Sequence, residues 1–146
     1  MRGYAILGPG GVGGLVAGAL ARSGAPVTVV ARDETAAAIG RGGLRIRSVR
    51  LGDFAARPRA VTRLDEPAGV LIVATKAPAL EGALERVATE PEVVVPLLNG
   101  LDHLALLRER FGDRAVAAPR SRRGGRCGSA TRRARWPRRS RHARRP

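Results

Sequence analysis

Glycines at Gly8, Gly10, Gly11 and Gly13 stand between a short apolar run (residues 4–8) and a helix-patterned stretch with Val12, Leu15, Val16, Ala19 and Leu20 on one face. A β-branched run follows at residues 27–31. Strand, glycine turn, helix and second strand together make a β-α-β unit of about thirty residues, the usual length for one. Parallel neighbours need a crossover of this kind, so the unit implies a parallel sheet covered on both faces. Gly18 lies inside the helical stretch, where glycine costs about 1 kcal/mol relative to alanine. It is expected there only if the helix must lie close to a neighbour.

The pattern then loosens and recovers. Residues 34–39 suit a short helix stopped by Gly40, Gly42 and Gly43, and residues 44–47 and 49–54 suit two short strands, paired as a hairpin. Residues 70–74 form a strongly apolar strand, and Leu80, Leu84 and Val87 mark a helical face ending before Pro91. A further buried strand is expected at 93–98, a turn at Asn99-Gly100, a helix over 101–111 and a last short strand at 115–118. Strands alternating with helices predict an α/β fold: a Rossmann-like, doubly wound and mostly parallel sheet.

The charge separates the chain into two parts. The net charge is +15, yet residues 1–118 hold 15 basic and 12 acidic residues, while residues 119–146 hold 12 arginines and no acid. The second part has no Val, Ile, Leu, Met, Phe or Tyr to bury, so residues 1–118 are expected to form the domain and 119–146 a disordered basic tail. Twelve arginines could engage nucleic-acid phosphates without sequence preference, with Trp136 as a stacking face. The same composition arises from GC-rich codons read out of frame. The abrupt change of text, and arginine without any lysine, favour that second origin.

One cysteine, Cys127, excludes a disulfide within the chain, and two histidines leave no donor set for zinc. No apolar run is long enough to span a membrane. Residues 1–21 have the basic start and small-residue end of a signal peptide, but glycines interrupt their apolar part. A cytoplasmic chain is expected.

Four places carry possible chemistry. Gly8-Pro9-Gly10-Gly11-Val12-Gly13 fits G-x-G-x-x-G at a strand-to-helix junction. There the first glycine permits the turn, the second admits a pyrophosphate to the backbone, and the third lets helix and strand approach. A plain flexible turn would use the same residues, but the strand–helix–strand context favours a dinucleotide. Arg32 and Asp33 end the second strand. The acid would suit the ribose 2′-hydroxyl of NAD and the arginine the 2′-phosphate of NADP. Arg32 directly follows the strand, which favours NADP over an ordinary solvated charge pair.

Lys76 is the only lysine, in a chain with 27 basic residues, and it follows a buried strand at the edge where open α/β sheets bind ligands. Asn99 stands at the equivalent end of the next strand. Asn-Gly is a common turn pair and Asn a good helix cap, so a ligand role and a local one weigh evenly. His103 is expected at the surface or in a local cap rather than as a catalyst.

In order, I-L-G-P-G-G-V-G-G, V-V-A-R, V-L-I-V-A-T-K-A and V-V-P-L-L-N-G-L resemble the ketopantoate reductase (2-dehydropantoate 2-reductase) family over about residues 3–118. The resemblance implies that Gly8, Pro9, Gly10, Gly11, Val12 and Gly13 carry the NADPH phosphates and that Arg32 contacts the 2′-phosphate. It also implies that Lys76 and Asn99 lie by the nicotinamide, with Asn99 touching substrate as well. The implied reaction is reduction of ketopantoate, or a similar small 2-keto acid, to pantoate in pantothenate and coenzyme A synthesis. Family members continue into a helical second domain with the proton donor, so a truncated chain that binds cofactor without turnover is expected. A nucleotide-binding module without chemistry is the other reading.

Overall fold

The computed structural model describes residues 3–98 and 102–112. The expected strand at 115–118, the tail at 119–146 and Asn99 lie outside them.

The elements run β1 (Tyr4–Leu7), α1 (Gly11–Arg22), β2 (Val27–Val30), α2 (Asp33–Gly42), β3 (Leu44–Ile46), β4 (Phe54–Ala56), β5 (Arg59–Val61), β6 (Val70–Val73), α3 (Leu80–Leu84), β7 (Val93–Pro96) and α4 (Asp102–Phe111). A 3-10 turn, Ala77–Ala79, leads into α3. The described residues build a five-stranded parallel sheet in the order β5-β2-β1-β6-β7. Chain direction reverses its outward growth at β1, with β2 added on one side and β6 on the other.

Alternation along the strands makes two cores. Ala5, Leu7, Val30, Leu71, Val73 and Val94 face Leu80 and Leu84 of α3 and Leu107 and Phe111 of α4. Ile6, Val29 and Ile72 face the opposite way, onto Ala17 of α1 and Ala36 and Ile39 of α2. Because both faces are covered, the strands read as unbroken apolar runs rather than alternating ones. Among the described residues, no helix is long and apolar enough to cross a membrane.

Helix α1 differs from its sequence reading in one informative way. Its buried residues are Gly13, Gly14, Ala17 and Gly18, while Val12 is 57% exposed. The large apolar residues Val16 and Leu20 only flank the core. Apolar periodicity locates the helix, but the closest approach falls on its smallest side chains.

Gly18 shows why. A Cβ there would stand 2.7 Å from Ile46 Cγ1 and 2.9 Å from its Cδ1. The neighbour is the antiparallel β3–β4 hairpin, which packs against α1. Arg22 fastens the same hairpin, its guanidinium 4.7 Å above the Phe54 ring and donating to the Leu51 carbonyl at 3.1 Å. Gly18→Val is therefore expected to lower the denaturant midpoint, by about 1–3 kcal/mol of overpacking. A midpoint equal to or above that of the parent would show that the hairpin is free to move away.

Three other expectations are corrected. The second hairpin strand is Phe54–Ala56 rather than 49–54, and Val49 and Leu51 are exposed in the turn. Helix α3 stops at Leu84, and Val87 instead forms a parallel bridge with Leu64. Strand β5 has no counterpart in the sequence reading. It is three residues long, directly follows Pro58, and pairs with β2 at the sheet edge. Its Arg59 donates to Glu66 at 2.6 Å, and that bond, more than the charge alone, holds the Glu66 carboxyl below its usual range. The pair is solvent-exposed and is worth little to stability.

Candidate functional site

The strand register decides which residues meet. Val30, Leu7, Val73 and Pro96 are successive neighbours at the carboxyl ends of β2, β1, β6 and β7. The ladder continues one step past them, with Gly8 N–H donating to the Val30 carbonyl at 3.1 Å, Ala74 N–H to Leu7 at 2.9 Å, and Leu97 N–H to Val73 at 2.8 Å. The next residues along each strand are therefore delivered to one edge. They are the glycine loop after β1, Arg32 after β2 and Lys76 after β6. The chain leaves β7 at the same edge.

Each loop glycine has its own reason. Gly8 takes φ +88°, and a Cβ there would meet Thr75 Cγ2 at 2.7 Å, so the turn is closed to other residues. A Cβ on Gly13 would fall onto the Gly8 carbonyl oxygen and within 3.0 Å of Ala74 Cβ. Helix α1 thus sits directly on the strand that precedes it. Gly10 and Gly11 are different: among the described residues, nothing beyond their chain neighbours and the local helix backbone lies within 4 Å of where their Cβ would stand. Their lack of a side chain serves nothing inside the described residues and leaves open approach to the backbone.

The amino end of α1 is open in the electrostatic sense as well. Gly10 supplies no side-chain cap and the first turn holds no acid. Helix α2 makes the contrast, with Asp33 and Glu34 in its first turn. Those carboxylates answer the positive end of its dipole, whereas α1 offers its N–H groups to an outside acceptor. Asp33 thereby acquires a local role in α2.

Arg32 is the residue before α2, in extended conformation, with its carbonyl accepting from Ala36 N–H at 2.8 Å. Its side chain is exposed and makes no ion pair among the described residues. Lys76 is likewise exposed, at the start of the 3-10 turn, with its carbonyl accepting from Ala79 N–H at 2.9 Å. The structure brings Arg32 and Lys76 to the glycine-loop edge, on opposite sides of β1. His103, expected at the surface or in a local cap, is 7% exposed on α4.

Two open grooves lie elsewhere. One, of about 680 Å³, is lined by Leu84, Val87 and Leu106 between α3 and α4, and another, of about 550 Å³, lies beside α2 and β5. Neither includes the glycine loop, Arg32 or Lys76.

A parallel sheet of this order, with a close-packed glycine turn from β1 into α1, defines the Rossmann-like α/β class. The chain belongs to the ketopantoate reductase PanE/ApbA family, whose sequence model matches residues 4–124. It is 31% identical over 117 residues to an uncharacterized oxidoreductase of Bacillus subtilis (strain 168), YkpB, matching 77% of this chain and 38% of that protein.

Among solved structures, 2-dehydropantoate 2-reductase from Methylococcus capsulatus superposes with a TM-score of 0.65 at 28% identity, covering 77% of this chain and 38% of that one. D-mandelate dehydrogenase in complex with NADH gives a TM-score of 0.66 at 25% identity, covering 80% of this chain and 36% of that one. The chain spans well under half the length of each of these relatives.

Proposed function

We propose that this chain is the NADPH-binding part of a 2-keto-acid reductase of the ketopantoate type. The observation that carries the reading is the division of labour among the loop glycines. Gly8 and Gly13 are required by the fold itself, whereas Gly10 and Gly11 face open space beside an uncapped helix terminus. A pyrophosphate fits that place, because it needs backbone N–H donors and no intervening side chain.

The remaining roles follow from the order of strands. Arg32 lies on the β2 side of the loop, where the adenosine half would lie, and its planar fork suits the 2′-phosphate that separates NADPH from NADH. Asp33, the residue that would favour NADH, lies in the first turn of α2, where its charge also suits the helix dipole. Lys76 lies on the β6 side, where the nicotinamide half and the keto acid would meet. Its ammonium can hold the substrate carboxylate or polarise the carbonyl. Asn99, carried over from the family motif, would add an amide to the nicotinamide ribose and substrate. NADPH supplies the hydride, and the protein's part is to hold and orient. Reduction of ketopantoate to pantoate would place the protein in cytoplasmic pantothenate synthesis.

The test is a comparison of NADPH and NADH by fluorescence titration at about 0.15 M salt, where long-range attraction by the tail arginines is screened. NADPH is expected to bind more tightly. Arg32→Ala is expected to remove most of that difference, with a loss of about 1.5–3 kcal/mol typical of a charge-assisted contact. Equal dissociation constants for the two cofactors in the parent chain would overturn the choice of NADPH.

A further inference from the structure

Thr75 stands between the two halves of the candidate site. It follows β6, immediately before Lys76, and its Cα and backbone nitrogen lie 3.1 Å from where a Gly8 Cβ would be. Its methyl group, Cγ2, is closer still at 2.7 Å. The backbone of Thr75 is therefore pressed against the first turn of the glycine loop. Its hydroxyl, Oγ1, is buried and has no hydrogen-bond partner, the only such side-chain atom identified among the described residues.

An unpartnered buried hydroxyl is a penalty that native proteins rarely carry without a use for it. Valine or alanine would fill this position without that penalty. The hydroxyl is also one χ1 rotation from a new direction, since threonine exchanges among staggered positions about a single bond. A rotation that exchanges the hydroxyl with the methyl, which lies by Gly8, brings it to the glycine-loop side.

We infer that the Thr75 hydroxyl is a cofactor-positioning group. It turns toward the loop edge when the dinucleotide binds and donates its hydrogen bond to an oxygen of the pyrophosphate–ribose stretch on the nicotinamide side. The side follows from the sheet order. Thr75 follows β6 and Arg32 follows β2, the two strands that flank β1, so the hydroxyl serves the half of the ligand that Arg32 does not reach. The inference rests on the dinucleotide reading, and the experiment separates the two.

Parent, Thr75→Val and Thr75→Ser chains are titrated with NADPH and, in competition, with adenosine 2′,5′-bisphosphate, which lacks the nicotinamide half. Thr75→Val keeps the shape and removes the hydroxyl. It is expected to weaken NADPH roughly tenfold to a hundredfold, as for a hydrogen bond to a charged group. It should leave the bisphosphate unchanged and the melting temperature of the free chain equal or higher. Thr75→Ser should bind NADPH within about threefold of the parent, because it keeps the donor.

Equal NADPH affinity in parent and Thr75→Val overturns the inference and leaves the dinucleotide reading standing. An equal loss for both ligands also overturns it, since that reports a distorted glycine loop. A parent chain that binds neither ligand removes the dinucleotide reading itself, and this inference with it.

Discussion

Gly13→Val is expected to unfold the amino-terminal β-α-β unit or leave it barely stable, while Gly10→Ala leaves the fold intact. At Gly13 a side chain would meet the Gly8 carbonyl and Ala74 Cβ, not the far end of a flexible group. Neither can retreat. Gly8 is tied to Val30 through its N–H at 3.1 Å, and Ala74 to Leu7 at 2.9 Å, so moving either opens the centre of the sheet. Overpacking typically costs about 1–3 kcal/mol, and a clash with backbone belongs at or above the top of that range. Against a total stability of about 5–15 kcal/mol for a domain, that loss is large.

Gly10 has negative φ and open space around it, so alanine is tolerated there. The same alanine stands where the pyrophosphate would approach, and NADPH is expected to bind about tenfold more weakly or worse. Denaturant melts and NADPH titrations of both variants check the pair. A Gly10→Ala chain with parental NADPH affinity would remove the loop from the site.

The second large effect concerns turnover. The purified 146-residue chain is expected to show no ketopantoate-dependent NADPH oxidation above background. Reduction of a keto acid needs the carbonyl held against the nicotinamide and a proton delivered to the developing alkoxide. The described residues place Lys76 on an exposed edge, open to water. Lack of a positioned general acid alone costs about 10²–10⁴-fold, and an unenclosed substrate adds to it. Most of each relative's length lies outside the part matched here. Robust oxidation that Lys76→Ala abolishes would show that this edge suffices as a complete active site.

How much of this was legible beforehand depended on whether a feature is local. The strands at residues 4–8, 27–31, 70–74 and 93–98 announced themselves, because a strand buried on both faces has no polar interruptions. The glycine loop was legible because its spacing and its place between strand and helix occur together. The family resemblance drawn from four ordered motifs agrees with the family match over residues 4–124. Strand β5 was not legible, since Arg59–Val61 is too short to show a period and follows a proline. Its strand character comes from pairing with β2. The burial of His103 was not legible for a related reason: one residue in a first helical turn carries no sign of which face will be covered.

Local chemistry along the chain was enough to establish an α/β domain with an anion-seeking turn, because periodicity, β-branching and glycine placement act over a few residues. Folding added what depends on distant segments coming together. It set the register that aligns Leu7, Val30, Val73 and Pro96, and so brings Arg32, Gly8 and Lys76 to one edge. It also separated the glycines that the fold requires from those that face open space, a distinction no spacing contains. Gly13 and Gly18 are pressed by Gly8 and Ile46, whereas Gly10 and Gly11 meet nothing. The burial of the unpartnered Thr75 hydroxyl is of the same kind, since it arises only where the β6 turn closes against the β1 loop.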